Sequence, residues 1–390
     1  MTKYLYTLPW YLRDLPAPTA ASPKVLSTFA SGGGSTMGYK LAGCDVIGAN
    51  DIDPEMARNY QFNFAPRHYF LQPICDLVET AQAKALPPEF YDLDILDGSP
   101  PCSSFSTSGV RARDWGEKKH FREGQAKQVL DRLFFDYLDL LDALRPKVSV
   151  AENVTGMLKG AARWYTHEVL ARYKSAGYRV QLFKLDGTDC GVPQKRVRVF
   201  FVAVRNDYAE SNNLEKLKLA PRSRVRTVRQ AFQNLPTLRF LDEEVTDTPV
   251  WLGTEPTWDV GLARKVSPRQ LWAMMRSTDA GKTRQQTPSG FDRLLARTGK
   301  LSNSAGRWDW ARLLWDSPSP TLTAATRTKS HPDEPRLISA AETFRLSSFP
   351  DDYVATSPGI ATYLAGMSVP PFMTRTVALA IREQWLSHDG

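Results

Sequence analysis

One cysteine stands where the sequence most clearly allows chemistry. Cys102 directly follows Pro100 and Pro101 in the run DGSPPCSSFSTSG. Proline fixes φ at about −65° and restrains the residue before it, so the thiol follows a stiff, non-helical segment. The small and hydroxyl-bearing residues after it are typical of a loop that can move. This arrangement favours a nucleophile, although a free cysteine in isolation is more often a small buried hydrophobic residue.

A carboxyl group and two guanidinium groups could assist such a nucleophile. Glu152 follows the apolar run 147–151, which predicts a buried strand, and a partly desolvated carboxyl group can donate a proton near neutral pH. Its alternative role is that of a carboxylate in the first turn of a helix predicted from Thr155. Alternation over 194–204 predicts another strand, with Arg196 and Arg198 on one face, where they suit an anion or a carboxylate that needs orientation.

A glycine-rich turn predicts binding of a nucleoside cofactor. The predicted strand 25–29 runs into consecutive glycines, and a helix can begin at Thr36. Such glycines let the backbone approach a ligand closely, and the start of a helix offers free N–H groups. Asp51 stands about 20 residues further on at the tip of the next strand, where an acidic residue holds a ribose diol in dinucleotide-binding folds. An NAD-type oxidoreductase would also fit this turn but would leave Cys102 unexplained.

Strands and helices alternate through the first half of the chain, which predicts an α/β fold. In an open parallel sheet, ligands bind outside the carboxyl ends of the strands. Phe29, Asp51, Cys102 and Glu152 all stand at predicted strand ends. We therefore expect these residues to converge on one crevice.

Composition narrows the class of protein. Among 390 residues, 42% are hydrophobic and 24% are charged, as in ordinary soluble globular proteins. No apolar stretch is long enough to span a membrane. The first ten residues lack the apolar core and the small-residue cleavage site of a secretory signal. Four widely spaced cysteines and five scattered histidines argue against disulfides and zinc, so we expect no metal and a cytoplasmic location.

Positive charge is concentrated in one part of the chain. The net charge is +8, and 201–330 holds 21 lysines and arginines against 13 aspartates and glutamates. A basic segment on a neutral remainder suggests a polyanionic partner, and the alternative is a mildly basic solvated surface. Periodicity weakens over 206–326 while arginines and tryptophans accumulate, which predicts an inserted recognition domain or a structural insertion with a tryptophan-rich core.

Six sequence blocks together resemble the DNA (cytosine-5) methyltransferases, in their usual order and over nearly all of 24–390. The blocks are 29–34 (FASGGG), 98–102 (GSPPC), 152–154 (ENV), 194–198 (QKRVR), 336–350 and 366–371 (GMSVPP). The resemblance implies a Rossmann-like S-adenosylmethionine-dependent methyltransferase sheet with helices on both faces, plus a smaller target-recognition domain. We accordingly predict an N-terminal arm over 1–23, a catalytic domain over 24–205, a recognition domain over 206–326, and a segment over 327–390 that returns to the catalytic domain.

The same resemblance implies a reaction. A methyl group would pass from S-adenosylmethionine to C5 of a flipped-out cytosine in a specific double-stranded DNA sequence, through a covalent bond between Cys102 and C6. Glu152 would protonate or hydrogen-bond N3, Arg198 would contact the base and orient the nucleophile, and Arg196 would be its partner. A mobile catalytic loop would cover 103–125.

Cofactor-binding residues follow from the matched blocks and from their departures. Residues expected to contact S-adenosylmethionine are Phe29, Ala30, Ser31, Gly33, Gly34, Asp51, Ile52, Ile74, Asp76, Gly98, Pro100, Met367, Ser368 and Val369. Ser31 replaces the family's first glycine, Pro73 stands where an aspartate often contacts the adenine amine, and Met367 replaces an asparagine. Asp76 could substitute for the missing aspartate.

Two other functions remain open at this point. A tRNA cytosine-5 methyltransferase could use the same scaffold, although the insertion of about 120 residues favours a reader of duplex DNA. A catalytically silent DNA-binding relative is the other, and the intact Cys102, Glu152 and Arg198 argue against it. A cognate restriction endonuclease is a further partner that the resemblance allows.

Overall fold

The computed structural model describes residues 8–101, 118–119, 128–129, 132–160, 162–219, 223–242, 311–324, 329–334 and 336–387. Every predicted site residue except Cys102 lies within these ranges. For 118–119 and 128–129 only the backbone is described, as a pair of two-residue antiparallel strands.

Seven strands form the main sheet. They are β1 (Lys24–Thr28), β2 (Asp45–Asp51), β3 (His68–Leu71), β4 (Ile95–Gly98), β5 (Val148–Val154), β6 (Tyr178–Asp186) and β7 (Val197–Arg205). Their order across the sheet is β3-β2-β1-β4-β5-β7-β6. Strands β1 to β5 are parallel to one another, and β7 is antiparallel to both β5 and β6. The carboxyl ends of β1, β2, β4 and β5 therefore lie along one edge.

Ten α-helices accompany the strands in the described part of the chain. They are α1 (Gly34–Leu41), α2 (Pro54–Phe64), α3 (Ile74–Gln82), α4 (Leu133–Leu144), α5 (Ala162–Ser175), α6 (Asn206–Ser211), α7 (Val228–Ala231), α8 (Ala340–Leu346), α9 (Pro358–Met367) and α10 (Pro371–Gln384). Short 3₁₀ turns cover Leu12–Asp14, Pro88–Tyr91, Thr155–Leu158 and Gly187–Cys190. Two-residue parallel strands pair Ala311–Arg312 with Lys329–Ser330.

Alternation along the strands sends side chains to two helical layers. Leu26 and Leu96 are fully buried in an apolar core with residues of α3, α4 and α5, such as Tyr137. The next residues along, Ser27 and Asp97, point to the opposite face, where Tyr39 of α1 contacts Asp97. Helices therefore cover both faces of the sheet, as predicted.

Helix α10 packs closely along α1. A Cβ atom added to Gly38 would lie 2.5 Å from Cβ of Thr374 and 2.7 Å from the Pro371 carbonyl oxygen, so only glycine lets the two helices approach this closely. Arg382 donates a 2.7 Å hydrogen bond to the Ala42 carbonyl at the end of α1. The C-terminal helix is thereby attached to the helix that follows the glycine-rich turn.

Two strands differ from the sequence prediction. Alternation predicted a strand over 91–96, but β4 begins at Ile95 and a 3₁₀ turn occupies Pro88–Tyr91. The Asp94 carboxylate accepts a 2.7 Å hydrogen bond from the Lys24 N–H and pairs with Lys147, which fixes this residue as a junction before the strand. Strand β5 continues through Val154 because β7 pairs with it antiparallel over its whole length, so Glu152 lies in a strand rather than in a helical first turn.

The chain divides into two compact units, at boundaries different from those predicted. One unit comprises the described residues of Tyr11–Val192, Arg196–Arg224 and Ser368–Gly390 and contains the sheet. The other comprises those of Met1–Trp10, Pro193–Lys195 and Val225–Met367. Residues 206–224 group with the unit that contains the sheet, and the described residues of 327–367 group with the other unit.

Packing within the second unit explains where 327–367 lie. Leu346 at the end of α8 shares an apolar core with Val228, Leu313 and Leu322. The buried Arg345 donates to the carbonyl groups of Ala231, Gln233 and Asn234 and pairs with Asp351. These bonds attach α8 to the segment around α7.

In the N-terminal arm, Trp10 joins the same unit by donating a 2.9 Å hydrogen bond to the Ser348 carbonyl.

Candidate active site

A buried ion pair lies at the carboxyl end of β5. Arg198 Nε is 2.9 Å from Glu152 Oε1, and both side chains are at least 85% removed from solvent, with 15% and 11% exposed. The pairing of Val154 with Arg198 brings the two residues together across β5 and β7. The structure thus joins two predicted catalytic residues that are 46 positions apart in sequence.

Burial and the ion pair act in opposite directions on Glu152. Burial raises the pKa of the Glu152 carboxyl, whereas Arg198, Arg196 and a hydrogen bond with Ser99 lower it, and the net direction is upward. Burial is also the main cause of the lowered pKa of Arg198 and Arg196. A carboxyl group with a raised pKa and one oxygen held by Arg198 is suited to hydrogen bonding with, or protonating, a ring nitrogen.

Arg196 links the end of β7 to the C-terminal segment. It lies just before β7, is almost completely buried, and donates from Nη2 to the Ser368 carbonyl oxygen at 3.2 Å. Ser368 and Val369 in turn lie against Gly34 at the start of α1. The first arginine of the pair therefore connects the Glu152–Arg198 region to a segment predicted to bind cofactor.

Asn153 is a buried amide at this edge of the sheet that was not among the predicted site residues. Its Nδ2 donates to the Pro100 carbonyl at 3.0 Å, and Asn153 is buried. Pro100 is itself buried, and the parallel pairing of Gly98 with Ala151 brings the two strand ends side by side. The bond fixes the chain two residues before Cys102, whose own position lies outside the described residues. The block containing Glu152, Asn153 and Val154 could have drawn attention to this amide.

The glycine-rich turn is held by an aspartate at the end of β2. Asp51 Oδ2 accepts the Ser31 N–H at 2.8 Å, and Oδ1 accepts the Asp53 N–H at 2.9 Å. Phe29 and Ser31 both adopt positive φ, at 51° and 47°, a conformation that costs a non-glycine residue about 1 kcal/mol or more. The Asp51 bond to Ser31 helps to stabilise this conformation. Ser31 thus takes up the backbone shape that the family's glycine would adopt freely.

Gly33 and Gly34 are required by protein packing as well as by any ligand. Gly33 caps α1 with φ of 84°, and a Cβ there would overlap the ring of Phe64. A Cβ on Gly34 would overlap the Val369 carbonyl oxygen and lie 2.7 Å from Cβ of Ser368. Gly98 is similarly enclosed by Tyr137 and Thr28. Of the other residues predicted there, Ala30 is buried in the turn and Ile52 is half-buried just after β2.

The region expected to receive an adenine is shaped by Asn50. Its Nδ2 donates to the carbonyl groups of Phe70 and Gln72, both at 2.8 Å, and so positions the chain that leads to Ile74. Ile74 is buried in the apolar core. Asp76 is exposed in the first turn of α3, where it accepts a hydrogen bond from the Cys75 thiol.

One buried polar atom beside the glycine-rich turn has no hydrogen-bond partner among the described residues. The hydroxyl oxygen of Ser368 makes no hydrogen bond within the described part of the chain, although the residue is buried against Gly34. A buried hydroxyl group of this kind can bond to a bound ligand. The acceptor oxygens of Asp51, the N–H groups at the start of α1 and the Ser368 hydroxyl together fit the hydroxyl and amino-acid groups of an S-adenosylmethionine molecule. Met367 ends α9 in the other unit and is 41% exposed.

Neither a metal cluster nor a membrane helix is found in the described residues. No group of three or more histidine, cysteine, aspartate or glutamate side chains there could hold a metal ion. No single described helix is long and apolar enough to cross a membrane, and α9 and α10 reach that length and hydropathy only when counted together.

Comparison with known proteins identifies the family. The profile of the C-5 cytosine-specific DNA methylases matches residues 23–383. The chain is 27% identical over 389 residues to the type II methyltransferase M.DdeI of Desulfomicrobium norvegicum, covering 93% of this chain and 88% of that protein. It is 28% identical over 367 residues to M.Eco47II of Escherichia coli, covering 92% and 78%.

Solved structures show the same fold. A putative DNA modification methyltransferase encoded within an Escherichia coli prophage superposes with a TM-score of 0.62 at 21% identity, covering 93% of this chain and 99% of that one. DNMT2 of Spodoptera frugiperda superposes with a TM-score of 0.55 at 16% identity, covering 92% and 99%. The sheet is that of a Rossmann-like methyltransferase. The chain belongs to the C-5 cytosine-specific DNA methylase family and is therefore an enzyme that methylates C5 of cytosine in DNA.

Proposed function

We propose that the enzyme methylates cytosine within a specific double-stranded DNA sequence, with S-adenosylmethionine as donor and Cys102 as nucleophile. The observation that carries this proposal is the Glu152–Arg198 ion pair beside a Pro100 carbonyl fixed by Asn153. A proton donor and the segment leading to the thiol are thereby attached to adjacent strands. Placing a cytosine there requires flipping it out of the duplex.

The residues divide the chemistry between addition and elimination. The Cys102 thiolate adds to C6 and forms an S–C6 bond, while the Glu152 carboxyl gives a proton or a hydrogen bond to N3. Arg198 holds the Glu152 carboxylate that remains. Once C5 carries the methyl group, its proton leaves to solvent and the N3 proton returns to Glu152. Cleavage of the S–C6 bond then restores the aromatic ring and frees the Cys102 thiolate. An unperturbed thiol with a pKa of about 8.5 is only a few per cent thiolate at pH 7, so a lowered pKa would speed the first step.

Bound S-adenosylmethionine would supply the electrophilic methyl group for C5. Asp51 would hold the ribose hydroxyls while keeping its bonds to the turn, since a carboxylate offers about four acceptor sites. The turn at Phe29, the start of α1 and the Ser368 hydroxyl would receive the rest of the molecule. Ile52, Ile74, Gly98, Pro100 and Val369 would complete its surroundings, together with Asp76 in the first turn of α3.

The remaining proposals concern DNA recognition, a partner protein and cellular location. The segment within 206–326 would read the duplex, and the basic balance of 201–330 would neutralise phosphates. A type II restriction endonuclease of the same specificity is a candidate partner, since the named relatives are type II methyltransferases. We also propose a cytoplasmic location, with which the three free cysteines among the described residues, Cys44, Cys75 and Cys190, are compatible.

Transfer of label from methyl-labelled S-adenosylmethionine tests the proposal. Purified enzyme would be incubated with bulk bacterial DNA or with tRNA, and with Cys102→Ala as the matched variant. We expect label on C5 of cytosine in duplex DNA only, lost in the variant, with bisulfite sequencing giving the recognition site. Transfer to tRNA in place of DNA, or undiminished transfer by Cys102→Ala, would contradict the proposal.

A further inference from the structure

Asp97 is a buried carboxyl group that the proposed reaction does not use. It lies in β4, one residue before Gly98, and is 3% exposed. Its carboxylate faces the α1 side of the sheet, whereas the cores of α3, α4 and α5 lie on the other side. Burial of an acid at this depth is costly unless it makes several hydrogen bonds.

Three hydroxyl groups from two other elements donate to this one carboxyl group. Ser27 Oγ of β1 donates to Oδ2 at 2.8 Å, and the hydroxyl of Tyr39 in α1 donates to Oδ1 at 3.1 Å. Ser35, in the first turn of α1, also donates to it. Thr28 Oγ1 adds a bond from β1 to the Asp97 backbone carbonyl at 2.9 Å. Asp97 therefore joins β1, α1 and β4 at the point where the sheet meets the glycine-rich turn.

The elements joined at Asp97 adjoin two parts of the site: the glycine-rich turn expected to bind the cofactor, and the segment that precedes Cys102. Helix α1 begins at Gly34, directly after the turn that Asp51 holds. Strand β4 leads within two residues to Pro100, whose carbonyl group Asn153 fixes. A shift of α1 relative to β4 would therefore change the distance between the cofactor-binding turn and the segment that precedes the nucleophile.

We propose that Asp97 is a positioning residue that sets the register of α1 and the glycine-rich turn against β4 and Pro100. The inference rests on the proposed use of S-adenosylmethionine at this turn. Asp97 acts through α1 and touches neither the cofactor nor the base. Its three hydroxyl bonds require an acceptor at both oxygens, which no apolar residue and no amide provides.

The test measures cofactor binding and chemistry separately. Isothermal titration of S-adenosylmethionine without DNA gives its Kd, and single-turnover transfer with saturating cofactor and duplex gives the rate constant of the chemical step. For Asp97→Ala we expect a Kd raised at least about tenfold and a rate constant lowered at least about tenfold, because misplacement by about 1 Å can cost far more. Asp97→Asn keeps the shape and one acceptor, so we expect intermediate losses in both.

Variants that remove one hydrogen-bond donor to Asp97, and a double variant, test whether these bonds account for the effect. Tyr39→Phe and Ser27→Ala each remove one donor, and we expect each to raise the Kd roughly two- to fivefold, as for loss of one hydrogen bond. Tyr39→Phe introduced into Asp97→Ala should add almost nothing, because the bond is already lost. If Asp97→Ala does not fold, Tyr39→Phe and Ser27→Ala carry the test alone.

Ser149→Ala is the matched control. Ser149 is fully buried in β5, and its hydroxyl bonds to Tyr137 and Tyr173 on the other face of the sheet. It should lower the thermal midpoint without changing the Kd or the rate constant. The proposal is overturned if folded Asp97→Ala stays within twofold of wild type in both quantities, or if Ser149→Ala changes them equally. Failure of the wild-type enzyme to bind S-adenosylmethionine would instead contradict the proposed function.

Discussion

The Asn153 side chain donates a hydrogen bond to the Pro100 carbonyl group at 3.0 Å. This bond ties the end of β5, which carries Glu152, to the chain two residues before Cys102. Proline removes one backbone torsion at Pro100 and another at Pro101. One external hydrogen bond then suffices to aim a segment that is already stiff.

Asn153→Ala should therefore slow attack by Cys102 more than it destabilises the fold. Loss of one neutral hydrogen bond costs about 1 kcal/mol of unfolding free energy. We expect the rate of covalent addition to a duplex containing 5-fluorocytosine to fall about tenfold or more, because the thiol is misaligned. Asn212→Ala, which removes a comparable side-chain bond to the Tyr208 carbonyl in α6, should leave that rate unchanged. Equal rates for Asn153→Ala and wild type would show that the bond does not position the nucleophile.

Arg198→Met should change the pH dependence of methyl transfer. Arg198 is the largest influence lowering the pKa of the buried Glu152 carboxyl, so its removal raises that pKa further. The limb of the pH–rate profile that reports Glu152 should move to higher pH, and the maximal rate constant should fall roughly a hundredfold or more, as for other preorganised charged groups. Arg205→Met, at the far end of β7 in a solvent-exposed pair with Asp207, is the control and should leave the profile in place. If the limb does not shift in Arg198→Met, Arg198 does not control the protonation of Glu152 during the reaction.

Gly34→Ala should weaken cofactor binding through the C-terminal segment. The added Cβ would overlap the Val369 carbonyl oxygen, a backbone atom that cannot rotate away. Overpacking of this kind costs typically about 1–3 kcal/mol, so we expect a lower thermal midpoint and a Kd for S-adenosylmethionine raised about tenfold. Gly160→Ala has the unfavourable φ of 54° but no atom within 4 Å of its added Cβ. It should lower the midpoint without affecting the Kd, and a Gly34→Ala enzyme that binds cofactor normally would be evidence against close contact here.

Asp97→Asn should alter how stability depends on pH. Burial raises the pKa of Asp97 from 3.8 to about 7, so between these values the folded state holds a proton that the unfolded state has released. The wild-type unfolding free energy, relative to that of Asp97→Asn, is therefore constant below about pH 4. It should fall as pH rises towards 7, by at most about 1.4 kcal/mol per pH unit. Urea unfolding at pH 5, 6, 7 and 8 measures this difference, and parallel curves for the two proteins would contradict the assignment.

Local sequence pattern was sufficient for most of the fold. The runs that begin at Val25, Asp45, Lys147 and Tyr178 predicted strands that the structure contains within a few residues. The structure brings the ends of β1, β2, β4 and β5 to one edge because all four are parallel neighbours. Alternation failed at 91–96, where Asp94 is held by Lys24 and Lys147, residues distant in sequence. The compact units also followed tertiary packing around Arg345 rather than a change in composition.

Contacts across strands explain why the rest of the site was not predictable. Asn153 and Asp97 act on partners 53 and 70 residues away, and no local pattern specifies which strands become neighbours. The positive φ of Ser31 could not be predicted either, because serine rarely adopts it. The hydrogen bond from the Ser31 N–H to Asp51 helps to stabilise it here. The roles of Cys102, Glu152, Arg196 and Arg198 remain predictions, supported by the geometry of the last three.

Trapping of the Cys102–cytosine bond is the most direct test of the reaction proposed here. A duplex with 5-fluorocytosine at the methylated position retains the covalent adduct, because fluorine cannot leave as the C5 proton does. With S-adenosylmethionine present, we expect a denaturation-resistant protein–DNA complex whose proteolytic fragment carries the nucleotide on Cys102, and none with Cys102→Ser. An adduct on another residue, or methyl transfer with no adduct, would contradict the account.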